Sequence, residues 1–341
     1  MTVRGRAAVL LLPFAVSACS YQHYQSTFGN AATQARQFNV LFAIFLVVCA
    51  IMYVAVIAFL VAAVARRRRS GTANVMEDGR HHESHPAMRT GLIGWGAIVA
   101  TGLIALAVAS FFTDRTMAGA AAHSKLSLTV TANQWWWDVQ YTAADNSKMI
   151  RTANEIHLPV GVPAHIVLKS NDVIHSFWVP SLAGKQDLIP GRENDIDITP
   201  RKVGLYRGQC AEFCGAEHAK MAFVVQVESY ADFIKWWQDQ LRSAPAPTTP
   251  LALAGYNVVA SRNCSACHAI AGTPANGTVG PDLTHLASRR TLAAGAMPMG
   301  EGNLYGWVAD PQSIKPGTKM PTVGLEPDQL HAVVAYLETL K

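Results

Sequence analysis

The sequence predicts a multidomain membrane protein: a two-helix transmembrane hairpin, then an all-β sandwich, then a small all-α domain. Three observations carry this. Two uncharged runs, residues 38–65 and 91–112, are each long enough to cross a bilayer. Between about Lys125 and Glu228 the chain breaks into short Val/Thr/Trp-rich segments separated by Pro/Gly turns. Beyond a Pro-rich linker, residues 251–341 begin and end in helical patterns. A length of 341 residues allows two or three domains. The chain is 50% hydrophobic and 15% charged, with mean hydropathy +0.16, which excludes a disordered chain and a wholly soluble one. The net charge of +5 says little about nucleic acid, because the arginines concentrate in one loop. Six cysteines in this length are too sparse for a disulfide scaffold, and two close pairs point instead to metal or cofactor chemistry.

Residues 1–19 read as an export signal. Arg4 and Arg6 precede a short apolar stretch, Ala7 to Val16, that ends Val16-Ser17-Ala18-Cys19. That ending resembles a bacterial lipoprotein cleavage box with Cys19 as the lipidated residue; plain signal cleavage is the alternative. Residues 20–116 form the hairpin. As helices its runs extend about 42 and 33 Å, against a hydrocarbon core of about 30 Å. The loop 66–90 opens with Arg66-Arg67-Arg68-Arg69 and adds Arg80 and Arg89. The positive-inside rule puts it in the cytoplasm, with both termini and both later domains on the outer side of a bacterial plasma membrane. His81, His82 and His85 read as members of a solvated loop.

Residues 117–241 read as the sandwich. Lys125 to Tyr141 supplies two strands, and His165–Lys169, Asp172–Val179, Asn194–Thr199, Gly204–Gln209 and Ala222–Glu228 are further ones, closed by a helix over Tyr230–Leu241. In the run Trp135-Trp136-Trp137, strand alternation sends Trp136 to the opposite face from its neighbours. The chemistry is densest at Cys210-Ala211-Glu212-Phe213-Cys214-Gly215-Ala216-Glu217-His218-Ala219-Lys220-Met221, with His175 upstream. Thiols, imidazoles and a thioether select copper or zinc. A Cys₂His₂ zinc site would be closed and structural. Met221 favours copper, since thioether is a usual weak ligand there, and two nearby thiolates can bridge two copper ions. His157 and His165 read as ordinary polar histidines.

Residues 242–250 form a Pro/Ala/Thr linker, extended and semi-rigid. After it, Cys264-Ser265-Ala266-Cys267-His268 is the C-x-x-C-H signature of covalent haem attachment, with His268 as proximal ligand. A redox or zinc C-x-x-C is the alternative. The sixth ligand is expected to be Met320, in the Pro/Gly loop Lys315–Pro321; Met297 and Met299 lie in an Ala/Gly-rich stretch read as a mobile loop. Helices are expected over Leu251–Ser261 and Pro327–Leu340, the latter with Leu330, Val333, Val334 and Leu337 on one stripe. His285 and His331 read as packing or surface residues.

The copper-type loop, Asp172–Pro180, Lys185–Arg192, Gln134–Trp137 and the hairpin together resemble subunit II of the haem–copper cytochrome c oxidases over most of residues 25–241. The C-terminal part resembles a fused class I cytochrome c. The resemblance implies a cupredoxin-like sandwich carrying the binuclear copper centre CuA. Cys210 and Cys214 would bridge its two coppers, His175 and His218 would bind one each, and Met221 and the Glu212 carbonyl would be weak ligands. The Glu212 side chain would reach a Mg²⁺ or Mn²⁺ shared with subunit I. Trp135 would take up electrons near the surface, and Tyr336 would pack on Gly255 and Tyr256. The implied function is an electron relay. Cytochrome c or a similar donor reduces the haem c, and CuA passes electrons to subunit I, where O₂ is reduced with proton translocation. The chain is then not catalytic alone. Its partners are subunit I, other oxidase subunits, the donor and membrane lipid, with no nucleic acid, and the linker would let the haem domain swing. An electron-input subunit of a CuA-containing nitric oxide reductase and a non-enzymatic copper-handling lipoprotein remain alternatives. The family's carboxylate near the start of the second helix has no counterpart in Arg89–Gly96, so no proton-uptake residue is assigned.

Overall fold

The computed structural model describes residues 24–69, 86–118, 124, 126–142 and 149–341. The expected export signal, Cys19 and the histidines of the hairpin loop lie outside the described residues. Helices α1 (Thr33–Arg69) and α2 (Pro86–Ala118) pack on each other. Each contains an apolar stretch fit to cross a membrane, Thr33–Arg66 and Arg89–Arg115, whose surface is left open to its surroundings. α1 starts before its apolar run because its first turn docks on the sandwich. Thr33 N–H donates to the Thr199 carbonyl (3.0 Å), Thr199 N–H donates to the Gln34 side chain (3.0 Å), and Ala32 and Ala35 are buried.

The sandwich strands are β1 (Leu126–Asn133), β2 (Trp136–Thr142), β3 (Met149–Ala153), β4 (Glu155–Pro159), β5 (Ala164–Ser170), β6 (His175–Trp178), β7 (Gln186–Leu188), β8 (Asn194–Ile198), β9 (Gly204–Cys210) and β10 (Ala222–Glu228). One sheet has the order β3-β2-β1-β5-β8 and the other β4-β10-β9-β6-β7. Pairs β1/β5 and β4/β10 are parallel, and the rest are antiparallel. Period-2 burial in β1 turns Leu128 and Val130 inward to meet Phe177, Phe223 and Val225 from the facing sheet. β4 is buried at all five positions. Helix α3 (Tyr230–Gln240), capped by Ser229 accepting from Asp232 N–H, covers it and stacks Trp236 on His157, with ring centroids 4.1 Å apart.

The C-terminal domain comprises α4 (Pro250–Ser261), α5 (Cys264–Cys267), a two-strand pair β11 (Thr291–Leu292) and β12 (Met297–Pro298), α6 (Glu301–Ala309), α7 (Pro311–Ile314) and α8 (Pro327–Leu337). α4 starts at a Thr249 cap with Pro250 at its first position, and α8 at a capping box of Glu326 and Gln329. α4 and α8 cross at Gly255, where an added Cβ would lie 1.9 Å from the Ala332 carbonyl oxygen, so only glycine permits the approach. Tyr336 packs edge-on against Tyr256 there, with centroids 5.5 Å apart. Met297 and Met299 are held in and beside the β11/β12 pair and pack on the domain core, in contrast to the mobile loop expected for them.

The two outer domains are docked. Ala222 N–H donates to the Ala294 carbonyl (2.8 Å), Arg290 N–H to a Glu155 carboxylate oxygen (3.0 Å) and Arg290 Nε–H to Gln226 Oε1 (2.8 Å). The linker is bonded as well. His285 Nε2–H donates to the Arg242 carbonyl (3.1 Å), and Ala244 N–H to the Ala271 carbonyl (2.9 Å). A swing of the haem domain would have to break these contacts.

Candidate functional site

Strand β9 ends at Cys210 and strand β10 begins after Met221, so the cysteine-rich segment is the loop joining two paired strands. His175 opens the neighbouring strand β6, where Phe177 pairs with Cys210. This brings the donors together. The Cys210 and Cys214 sulfurs lie 3.8 Å apart, too far for a disulfide. His175 Nδ1 is 3.8 Å from the Cys210 sulfur, and His218 Nδ1 is 3.6 Å from the Cys214 sulfur. Met221 Sδ lies 3.8 Å from Cys214, and the Glu212 carbonyl 3.2 Å from Cys210. His175, Cys210, Cys214 and Met221 are buried. The arrangement is doubled: two adjacent sulfurs, each with its own imidazole. Sulfur and imidazole donors gathered in this way suit a soft metal such as copper.

Asp172 sets the first imidazole. A carboxylate can only accept, so His175 Nε2–H donates to it (2.9 Å) and Nδ1 is left facing the sulfurs. Burial opposes ionisation of Asp172. The bond from His175, with those from the Gln134 and Val173 backbone N–H groups, outweighs burial and holds the carboxyl below the usual range. The Cys210 thiol is pulled down chiefly by its interaction with the Cys214 thiol, which prepares the loop to hold thiolate. The Glu212 side chain and Phe213 face outward.

The second site is a cavity of about 360 Å³ lined by Cys264, Cys267, His268 and Met320. Neither Met297 nor Met299 lines it. The residues fit a covalent haem. His268 Nδ1–H donates to the Pro281 carbonyl (2.7 Å), leaving Nε2 as the ring's ligating nitrogen. Burial lowers the pKa of His268, favouring the neutral ring that a metal needs. An added Cβ at Gly280 would sit 2.6 Å from His268 Cε1, so this glycine lets the backbone pass against the ring. Arg289 also lines the cavity, and its buried Nε has no hydrogen-bond partner among the described residues. A buried cationic donor left open in this way suits an anionic substituent such as a haem propionate.

The sandwich also contributes to the cavity wall, through Gln134, Trp135, Trp136 and Asn154. Trp135 is only 9% exposed, not at the surface as expected, because the haem domain covers it. Strand alternation does not separate Trp135 from Trp136, since residues 134–135 form the turn between β1 and β2 and the pleat begins at Trp136. Trp137 is core, edge-on to Phe177 and Phe223. The Trp135 indole N–H and the Gln134 side-chain amide both donate to the Cys214 carbonyl (2.9 and 2.7 Å). One tryptophan thus touches the haem cavity and the sulfur loop.

Three residues go unassigned in the sequence reading: Asp172, Arg289 and Lys315. Asp172 stands three residues before His175, and that spacing is a usable signal. The other two carry none, because their partners are remote in sequence. His165 clusters with Asp195 and Asp197, but it lies opposite Asp197 in the β5/β8 register and is bonded to it (3.0 Å), a cross-strand pair. His157 lies outside both sites, held between Glu155 and Glu228 (2.8 and 2.9 Å).

Two apolar helices, a β-sandwich with a sulfur–imidazole loop and a C-x-x-C-H helical domain together define a membrane-anchored redox protein. Family models agree on both outer domains. Residues 142–228 match the periplasmic domain of cytochrome c oxidase subunit II, and residues 252–341 match cytochrome c. The chain is 32% identical over 256 residues to cytochrome c oxidase subunit 2 of Alkalihalophilus pseudofirmus, covering 73% of this chain and 72% of that one. It is 31% identical over 297 residues to the same subunit of Bacillus sp. strain PS3, covering 81% and 80%. The periplasmic domain of subunit II of cytochrome oxidase from Bradyrhizobium japonicum is 30% identical, covering 34% of this chain and 94% of that one, with a TM-score of 0.32. The chain belongs to the cytochrome c oxidase subunit 2 family, whose members are subunits of an oxidoreductase complex. Its sandwich is accordingly a cupredoxin-like copper domain, and its C-terminal domain a haem-binding cytochrome c.

Proposed function

We propose that this chain is the electron-input subunit of a cytochrome c oxidase. Electrons from cytochrome c or a similar donor arrive at the haem cavity, cross to the copper loop and leave for the catalytic subunit I, where O₂ is reduced to water with proton translocation. The observation that supports this best is the shared tryptophan: Trp135 lines the haem cavity while its indole bonds the Cys214 carbonyl at 2.9 Å. When bound, the haem iron and a copper pair supply one-electron redox chemistry.

The residues divide the remaining work. Cys264 and Cys267 would fix the porphyrin by thioethers, His268 Nε2 and Met320 Sδ would hold its iron, and a methionine there would raise the reduction potential. Cys210, Cys214, His175 and His218 would hold the copper, with Met221 and the Glu212 carbonyl as weaker donors. The outward Glu212 carboxylate is free to reach a Mg²⁺ or Mn²⁺ at the boundary with subunit I. The arginine-rich loop holds the hairpin in a bacterial plasma membrane with both redox domains outside, and Cys19, after export, carries lipid.

The test is metal content and electron paramagnetic resonance of the full chain, produced with haem-attachment machinery and copper. Two coppers per haem, with hyperfine structure from one electron shared over both nuclei, is the expected result. One copper, or zinc, overturns the reading.

A further inference from the structure

Lys315 follows α7 and is 2% exposed, among the most completely buried large side chains in the protein. An ammonium taken out of water is costly unless its donors are matched. It has three N–H donors and no acceptor. Its Nζ lies 2.7 Å from the Trp135 carbonyl, 2.8 Å from the Lys220 carbonyl and 3.1 Å from the Ala293 carbonyl. The first two belong to the copper domain and only the third to the haem domain. The lysine also lines the haem cavity. Lys220 completes a reciprocal clasp, its own Nζ donating to the Ile314 carbonyl at 2.7 Å.

Both copper-domain carbonyls sit at the sulfur loop. Lys220 precedes Met221, and Trp135 carries the indole bonded to Cys214. Burial pushes the Lys315 ammonium down to about 7, partly offset by Glu217, and among the described residues no carboxylate is within ion-pair distance. Carbonyl oxygens are therefore its only direct support among the described residues, and two of the three are lost if the domains separate. A buried cation so placed specifies one docked arrangement, where an apolar side chain would tolerate several.

We propose that Lys315 is a positioning residue for electron transfer, pinning the haem cavity against the Trp135 edge of the copper loop through the Trp135 and Lys220 carbonyls. The proposal rests on the relay reading above.

The test uses the intact oxidase complex with both centres loaded. A ruthenium photoreductant reduces the haem in a flash, and the rate of its reoxidation by the copper centre is followed. Lys315→Met removes all three donors and Lys315→Gln retains two. The expected result is a rate about tenfold or more slower for Lys315→Met, the population change that follows loss of one charge-assisted hydrogen bond. Lys315→Gln should fall between Met and the unsubstituted protein. Copper stoichiometry and the two-nucleus copper spectrum should stay unchanged, which a general loss of structure would not allow. Unchanged rates in both variants overturn the proposal, as does a slowing matched by a shifted potential. If Lys315→Met does not assemble, Lys315→Gln decides by the same criteria. Absence of haem-to-copper transfer in the unsubstituted complex is a separate result: it overturns the relay itself and the proposal with it.

Discussion

The sulfur cluster and the haem cavity are assembled over very different distances along the chain. Cys210, Glu212, Cys214, His218 and Met221 come from one loop, and His175 from the strand beside it. The cavity's lining runs from Gln134 to Leu337 and includes both outer domains. A site of the first kind is fixed by one strand pairing and survives small shifts elsewhere. A site of the second kind is whole only when two domains meet in one orientation. The copper loop should therefore respond to changes in its own segment and around His175 beside it, while the haem cavity should respond to changes at the domain seam.

The strongest break of that contrast lies within the loop. Cys214→Ser removes one of the two sulfurs and leaves Cys210 without its neighbour at 3.8 Å. The two-nucleus copper signature should vanish and oxygen consumption should fall to background. The haem spectrum should remain, because no cavity-lining side chain is altered. Loss of haem attachment in this variant would mean that the two sites are not independent.

Next comes the seam. His157 is buried between Glu155 and Glu228, and Glu155 also accepts from Arg290 N–H of the haem domain. Burial disfavours the imidazolium, but the bonds to Glu155 and Glu228 and their charges outweigh it and raise the histidine's pKa. Glu155 is likewise opposed by burial, yet its bond to His157 lowers its pKa. Stability from the raised histidine is fully present below about pH 6.5 and is lost as pH rises through its folded value. Stability from the lowered carboxyl is present above about pH 4.3 and is lost as pH falls through its folded value. Thermal unfolding should thus show a stability plateau between the two. His157→Leu leaves two buried carboxylates without the imidazolium between them and should cost about 3–5 kcal/mol, with the plateau abolished. An unchanged pH profile in that variant would rule out this cluster as its source.

The two sites also differed in how much could be read from sequence. The sulfur–imidazole loop and the C-x-x-C-H motif are short-range patterns, so the clustering of Cys210 through Met221 and of Cys264 through His268 was legible, as were both apolar helices and the strands with clean alternation. β4 was missed because α3 covers its second face, and a strand buried on both sides that reads Glu-Ile-His-Leu-Pro shows no period of two. The short α6 and α7 lie in Gly-rich and Pro-rich sequence. Burial of Trp135 was not legible either, since the covering residues, Lys315 and Gly317, are some 180 positions away. Arg289 and Lys315 are ordinary basic residues until the fold removes them from water.

A smaller effect sharpens the copper side. Asp172 holds His175 and also meets Lys319 of the haem domain at 3.3 Å. Asp172→Asn keeps the shape but can no longer act as a pure acceptor toward His175 Nε2–H. Copper affinity, measured by competition with a chelator, should fall about 10–100-fold, the usual consequence of losing a carboxylate behind a ligating histidine. The exposed ion pair to Lys319 contributes at most about 1 kcal/mol. Lys319→Ala should therefore leave copper affinity unchanged, and a comparable loss in that variant would shift the weight of Asp172 from the copper site to the seam.

The smallest expected change lies inside the haem domain, away from the seam. Gly255→Ala places a methyl 1.9 Å from the Ala332 carbonyl and 2.9 Å from Tyr336 Cβ, so α4 and α8 must move apart. Overpacking of this kind costs about 1–3 kcal/mol, offset by up to about 1 kcal/mol from alanine's better helix propensity. The net loss should appear as a lower unfolding temperature followed at the haem absorption, with the copper signal unfolding as before. If both signals shift together, the domains unfold as one unit, and the docking contacts at Ala222, Arg290 and Lys315 couple them more strongly than the covalent linker does.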